Sequence, residues 1–377
     1  MSDDAFSLPA LEGLSPGARV VVAMSGGVDS SVTAALLKDA GYDVIGVTLR
    51  LYDDAEAMMR TGTCCAGRDI RDAANVAEAI GIEHHVLDLV ETFRRDVIED
   101  FAATYARGET PIPCVSCNRT VKFRDLLGFS RDRGAAGLVT GHYVRREGVN
   151  GSLRLLAGAD PVRDQSYFLF ATTRNELSYL YFPLGGVDKD ATRRLAERFG
   201  LGVAAKPDSQ DICFVPDGDY ARVVKRLRRD AFQPGEIVDE TGTVLGHHKG
   251  FANFTVGQRK GIGIGGGDAL YVLRVDPEGG RVVVGPKESL LRDALRLRDV
   301  NWLGDGDGPP AGGQDVMVKL RSAQAPVAAT VFGEASGAAR VRLHVPFAGV
   351  APGQACVFYD GARVLGGGWI LRDDVPS

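Results

Sequence analysis

The sequence predicts an α/β protein: an N-terminal doubly wound parallel sheet followed by two smaller β-rich modules. Three observations carry this. Short β-branched runs alternate with amphipathic helical segments over the first half of the chain, and a glycine-bearing turn joins the first such strand to the first such helix. Past Asp217, frequent glycine, recurrent turns and short alternating runs replace the helical periodicity. The length of 377 residues accommodates two or three domains of ~100–200 residues. Apolar residues at 45% and charged residues at 25% are ordinary values for a chain that builds a sizeable core.

Taken in order, Val20, Val21 and Val22 form a run suited to a buried strand, and Val32, Leu36 and Leu37 recur at helical spacing after Asp29. Strand therefore gives way to helix at Ser25-Gly26-Gly27. Glycine permits close backbone approach there, and the N–H groups of the helix start, with the hydroxyls of Ser25, Ser30 and Ser31, suit phosphate oxygens. A bare SGG is equally a tight turn with Asp29 or Ser30 as N-cap. Gly41 ends this helix, Val44–Leu49 reads as a second buried strand, Ile70–Ile80 as a helix closed by Gly81, and His85–Leu89 as a strand. Phe93–Tyr105 reads as an amphipathic helix. Pro111 and Pro113 forbid helix before Cys114, so the next helix is expected near Asn118, with Leu138–Thr140 a further strand. Asp160–Phe199 reads as helical, most strongly over Lys189–Phe199. In a parallel sheet the loops after the strands gather ligands, here Ser25–Ser30, the residues after Leu49, and Gly141–Tyr143. Tyr271–Val275 and Arg281–Val284 read as strands beyond Asp217, and Gly304–Gly313 as a surface loop.

Composition excludes several classes. The longest stretch without Asp, Glu, Lys or Arg, Leu343–Tyr359, contains Pro346 and Pro352 and is no spanning helix. Asp3 and Asp4 stand where a secretory signal would be basic, so a cytoplasmic protein is expected. Six cysteines, with Cys64 beside Cys65 and Cys114 near Cys117, are not a secreted disulfide framework. The net charge of −5 argues against indiscriminate nucleic-acid binding but leaves room for a local basic face.

Two thiols stand out. Cys117 is expected at a helix start, where thiolate is favoured and a nucleophile is suited; the bland alternative is a buried, inert cysteine. Cys114 and Cys117 form a lone CxxC with no second pair to complete a zinc site. Cys213, between acidic Asp208 and Asp211 and apolar Ile212 and Phe214, alone reads as core. Together, two distant thiols and a phosphate cradle suggest sulfur transfer through a persulfide. Arg222, Lys225, Arg226, Arg228 and Arg229 form a basic helical run, with Lys249, Arg259 and Lys260 beyond it, fit for an RNA backbone or simply a solvated face. Cys64, Cys65 and Cys356 read as structural, and His84, His85, His247, His248 and His344 lack metal-like spacing.

SGGVDSS is neither a Walker A nor a GxGxxG pattern; it resembles the PP-loop of the ATP pyrophosphatases. AMSGGVDSS, CCAGRDIRDA, TPIPCVSCNRTVKF, TGHY, RDQSYFL, KPDSQDICF, FTVGQRKGIGI and APGQACVFYDG follow one another in an order that resembles the tRNA-specific 2-thiouridylases over nearly the whole chain. The resemblance implies an adenine nucleotide alpha-hydrolase-like PP-loop domain over 1–217, a central β-rich tRNA-binding domain over 218–290 and a C-terminal β-barrel over 291–377. It implies ATP binding by Ala23, Met24, Ser25, Gly26, Gly27, Val28, Asp29 and Ser30, completed by Leu49 and Gly141, with Mg²⁺ as companion and Asp29 a candidate ligand. Cys117 aligns with the catalytic nucleophile and Cys213 with the persulfide carrier, and their disulfide would need reduction after turnover. Ile112, Pro113 and Cys114 align with the loop that meets the target base; His142, Arg163, Asp164, Gln165, Arg321, Ser322 and Gln354 align with tRNA contacts. The implied partners are tRNA and a persulfide donor such as a cysteine desulfurase or sulfur-relay protein. The chain departs from the family at Cys114, where many members carry an Asp proposed to move a proton. A PP-loop ligase amidating a small metabolite would need neither Cys117 nor Cys213, and a non-catalytic RNA-binding protein would not need an intact SGGVDSS.

Overall fold

Val20, Val21 and Val22 are wholly buried in β1 (Arg19–Ala23), the middle strand of a five-stranded parallel sheet. β2 (Asp43–Arg50) and β3 (Glu83–Asp88) lie to one side of β1, β4 (Gly137–Val139) and the short β7 (Leu180–Tyr181) to the other. Val20, Val22 and Val44 pack in one core cluster with α1 (Val28–Asp39), α2 (Cys65–Ile80) and α8 (Lys189–Arg198), through Val32, Leu36, Val76, Ala77, Leu195 and Ala196. Val21 and Ile45 alternate to the opposite face and are equally buried, so both faces are covered, as a parallel sheet requires. The computed structural model describes residues 11–52, 65–149, 152–208, 212–215, 218–265 and 268–372. Cys64 and Asp211 lie outside them.

The chain forms two compact units. The first draws on 1–96, 116–210 and 362–364, and the second on 97–115, 211–361 and 365–377. Besides the sheet, the first holds a hairpin of β5 (Val144–Glu147) and β6 (Arg154–Ala157), which the sequence reading missed; Arg363 and Val364 pair with β6. Helix was expected throughout Asp160–Phe199, and the structure corrects this. The segment is a 3₁₀ turn (Ser166–Leu169), a one-turn α7 (Arg174–Leu177) with a Thr173/Glu176 capping box, the strand β7, a second 3₁₀ turn (Pro183–Gly186), and only then α8. Tyr167, Phe170, Leu180 and Tyr181 are buried on several sides, so burial rather than one apolar helical face selected their apolar character.

The second unit contains two β assemblies. One is a four-stranded sheet in the order β10 (Tyr271–Asp276), β11 (Arg281–Gly285), β8 (Gly235–Val238) and β9 (Val244–His248). The other is a six-stranded barrel of β12 (Leu291–Trp302), β15 (Ala339–Ala348), β14 (Val327–Gly333), β13 (Gln314–Lys319), β16 (Ala355–Asp360) and β17 (Arg363–Ile370), closed by pairing of β12 with β17. Closure leaves these strands no free edge. Leu297, Val318, Val331, Val341 and Phe358 fill the interior with Cys356, whose fully buried thiol burial pushes far up, as suits an inert core cysteine.

Candidate functional site: a phosphate loop and two thiols

Ser25 to Ser30 and Gly141 follow the carboxyl ends of β1 and β4, and Leu49 is the penultimate residue of β2 beside β1, so the sheet gathers them at one end of three adjacent strands as its topology predicts. Gly26 has φ +71, and a Cβ on it would collide with the backbone carbonyl of Asp69 in α2. Gly27, not Asp29 or Ser30, is the N-cap of α1, and no side chain caps the helix. Ser30 instead turns back, its Oγ accepting from Ser25 N–H at 3.0 Å and lying 3.2 Å from Ser25 Oγ; Ser31 Oγ donates to the Gly27 carbonyl at 2.8 Å. Among the described residues, no acceptor takes the N–H groups of Gly26, Gly27, Val28, Asp29 or Ser30. The result is a helix start with its donors unspent, which is an anion cradle. Gly141 backs onto it, since a Cβ there would stand 3.0 Å from Ser30 N and from the Asp29 carbonyl carbon.

A charged cluster surrounds this loop, in which Lys189, Arg193, Lys206, Asp69 and Asp72, none of them singled out in the sequence, join Arg163 and Asp208, which were. Lys189, 7% exposed, donates to Asp29 Oδ1 at 2.7 Å and Oδ2 at 2.9 Å, and pairs with Asp208 Oδ1 at 2.7 Å. Tyr143 donates its hydroxyl proton to Asp29 Oδ1 at 2.8 Å, with Thr192 Oγ1 3.0 Å from the same phenol oxygen; burial and then the Asp29 charge push the phenol far up, so it stays a donor. Arg163 and Arg193 complete the cluster on Asp208 at 3.0 and 3.2 Å. Burial raises the Asp208 carboxyl, but the Lys189 hydrogen bond and the three cations outweigh it and hold it below the usual range. Lys206 donates to the Gly26 carbonyl at 2.9 Å, to Asp69 Oδ1 at 2.7 Å and to Asp72 Oδ2. Burial lowers this ammonium, and the two carboxylate hydrogen bonds more than restore it, so it stays above its ordinary value. The strings GRDIRDA and KPD hold Asp69, Asp72, Lys206 and Asp208, but nothing in their spacing says that they meet.

Cys117 does not start a helix. Pro113 does, with Pro113–Cys117 forming α5, followed without a break by a π-helical turn (Asn118–Phe123) and α6 (Arg124–Asp132). Proline is tolerated in a first turn because its missing N–H would be unused there. The helix-start argument therefore passes to Cys114, which is exposed, whereas Cys117 is buried at 6% exposure within the helical run. Behind Cys117, the buried Asn118 donates to the Phe168 carbonyl at 3.2 Å and keeps Oδ1 without a partner. Ile112 and Pro113 are buried. Cys213 is exposed in the second unit, beside the buried Phe214 that stacks edge-on with Phe101.

The residues aligned with tRNA contacts fall in both units. In the first, Gln165 accepts from Tyr143 N–H at 2.9 Å, and Asp164 accepts from the N–H groups of Gly158 and Ser166, so these two staple their own loop. His142, half-buried beside Phe123 and Phe182, shares a 2.8 Å hydrogen bond with Thr140; burial and then the Lys122 charge lower it to about 3, leaving a neutral imidazole. In the second unit, Gln354 donates to the carbonyls of Thr110 at 3.1 Å and Pro111 at 3.5 Å, and Thr110 N–H donates to Pro352. The 352–354 turn thus straps the segment before Cys114 to the barrel. Arg321 donates to the Gly349 carbonyl at 2.6 Å and lies beside Gly257 of the VGQRKG string, and Ser322 is exposed. The basic run covers α9 (Tyr220–Leu227), capped by Asp219, and the two residues after it, with Arg222, Lys225, Arg226, Arg228 and Arg229 all exposed. Among the described residues no cluster of His, Cys, Asp and Glu could hold a metal ion by itself, and no helix is long and apolar enough to cross a membrane.

Residues 18–217 match the model of a tRNA methyl transferase HUP domain, 223–286 a tRNA methyl transferase PRC-barrel domain and 292–370 an aminomethyltransferase beta-barrel domain. A tRNA-specific 2-thiouridylase MnmA of Rhodospirillum rubrum is 59% identical over 94% of this chain and 96% of its own length. A protein of the same name from Rhodospirillum centenum is 60% identical over 94% of this chain and 92% of its own. One from Parvibaculum lavamentivorans is 56% identical over 97% and 93%. With identity at this level running the full length of the sheet, the central module and the barrel, the chain belongs to the tRNA-specific 2-thiouridylase family.

Proposed function

We propose that this protein is an ATP-dependent tRNA-uridine 2-sulfurtransferase that thiolates the wobble uridine. The observation that carries the reading is the uncapped helix start at Gly27, its N–H groups unspent, in a chain of this family that also holds Cys117 and Cys213. Oxygen at C2 of uridine is a poor leaving group. Its attack on the α-phosphate of ATP, held by Ala23 to Ser30 with Leu49 and Gly141, turns it into an adenylate and expels pyrophosphate. The backbone donors of the loop offset the charge that grows on the phosphate oxygens. Mg²⁺ would supply further charge neutralisation when bound; Asp29 Oδ2, which accepts from Lys189 at 2.9 Å, would hold that ion with its second lone pair.

Sulfur then replaces the activated oxygen. The terminal sulfur of a Cys213 persulfide attacks C2 and AMP departs; the Cys117 thiolate attacks the Cys213 sulfur, freeing 2-thiouridine and leaving a Cys117–Cys213 disulfide. Two electrons from an external dithiol, itself oxidised to a disulfide, restore both thiols, and a persulfide donor reloads Cys213. Alternatively Cys117 releases sulfide from the persulfide first, with the same disulfide as product. Ile112, Pro113 and Cys114 would receive the target base, and His142, Arg163, Asp164, Gln165, Arg321, Ser322 and Gln354 would hold the tRNA with the basic face of α9. A division of labour over 1–217, 218–290 and 291–377, in the cytoplasm, completes the proposal.

The test is mass spectrometry of tRNA nucleosides after incubation with ATP, Mg²⁺ and a persulfide source. Wild-type protein should produce 2-thiouridine, and Cys117→Ser and Cys213→Ser should each reduce it at least about a thousandfold while ATP still binds. Tight tRNA binding with no 2-thiouridine from the wild type would sink the reading, and full activity in either variant would remove that cysteine from its role.

A further inference from the structure

We infer that Lys206 is a positioning residue for the phosphate loop: its ammonium, fixed by Asp69 and Asp72, holds the Gly26 carbonyl so that the Gly27 N–H faces the nucleotide. The inference rests on the loop being the ATP site. An ammonium has three N–H donors, and here all three have acceptors: Gly26 O, Asp69 Oδ1 and Asp72 Oδ2. In a trans peptide the carbonyl and the next N–H point in opposite directions, and the chain has no cis peptide bond among the described residues. Anchoring the Gly26 carbonyl on Lys206 therefore aims the Gly27 N–H away from Lys206, on the side where no acceptor among the described residues takes it.

The need for such an anchor follows from the loop itself. Glycine at 26 and 27 makes the peptide between them easy to rotate, and a rotated peptide would present a carbonyl oxygen to a phosphate. Asp69 confines Gly26 from one side through its backbone and orients Lys206 through its carboxylate, while Asp72, one turn along α2, takes the third donor. A lysine so committed is not itself a phosphate ligand. The two roles make opposite predictions for the carboxylates.

Replacement by Lys206→Met should raise both the KM for ATP in thiolation and the dissociation constant of ATP by about tenfold or more, the scale of one charged hydrogen bond. The kcat at saturating ATP, the affinity for tRNA and the melting temperature should stay close to wild type. Asp72→Asn should weaken ATP binding in the same direction, because it loosens the lysine. If Lys206 instead contacted phosphate directly, Asp72→Asn would leave ATP binding equal or tighter, and that result overturns the inference, as does unchanged ATP affinity in Lys206→Met. Should Lys206→Met fail to fold, Asp72→Asn decides alone. Wild-type protein that binds no ATP would sink the nucleotide reading, whereas wild-type binding with unaffected variants sinks only the role of Lys206.

Discussion

At Gly26 one hydrogen atom in place of a side chain decides whether the loop can exist. Its φ of +71 already disfavours any side chain, and a Cβ would meet the Asp69 carbonyl. Gly26→Ala should therefore weaken ATP binding by about tenfold or more, read by nucleotide titration, through strain of roughly 1–2 kcal/mol at this one residue. His142 gives a prediction in pH. Its folded-state value of about 3 lies below the unfolded 6.5, so the unfolded chain takes up the proton first as pH falls. The stability tied to the neutral ring is complete above about pH 6.5 and drains away toward pH 3, and the lowered His84 and His248 act in the same direction. Urea unfolding across that range should show a shallower pH dependence in His142→Gln than in the wild type. Gly26 was legible in the sequence because a positive φ at a strand-to-helix turn is a local demand, whereas the close approach of the Asp69 carbonyl was not. Lys206 was not, because its partner Gly26 lies 180 residues away and no local pattern records the meeting.

Elements show the same division. β1 and α1 were legible because a β-branched run and a 3.6-residue repeat each report burial directly, whereas the helix carrying Cys117 was misread at its start. Two prolines in TPIPC read as a barrier, yet Pro113 serves as a first-turn residue, and tertiary contacts of the preceding segment set where the helix begins. One of those contacts is Gln354, whose amide hydrogen bonds fasten Thr110 and Pro111. Gln354→Ala should lower thiolation at saturating ATP and leave the KM for ATP unchanged, at a stability cost of about 1 kcal/mol. Single-turnover kinetics with urea titration checks both parts. No change in turnover would mean that the strap does not matter for chemistry.

For the whole molecule, texture announced the change from α/β to β near Asp217, and barrel closure was implied by resemblance rather than by any one strand. Periodicity reports which residues are buried but not which distant strand pairs with which, so β12 with β17 could not be read from either segment. Nor could the assignment of 97–115 to the second unit, where Phe101 packs on Phe214 and Tyr105 stacks on Tyr220. A fragment ending at 217 would keep Phe101 and Tyr105 but lose Tyr220 and the barrel that straps Thr110. It should be digested by protease between 97 and 115 far faster than the full chain, and equal resistance would contradict the grouping.

The π-helical turn from Asn118 to Phe123 sets the rotational phase of a thiol. Such a turn is an α-helical turn with one residue added, and each residue of helix advances about 100°. Relative to Leu126 and Leu127, which are buried in α6, Cys114 and Cys117 therefore stand about a quarter-turn or more from where an unbroken α-helix would put them. Losing a single residue from this turn would restore regular helix, a local gain in backbone geometry, while swinging both sulfurs off their present bearing. The irregular hydrogen bonding is what lets one continuous helix satisfy two demands: an apolar face for the sheet and a separate direction for its cysteines.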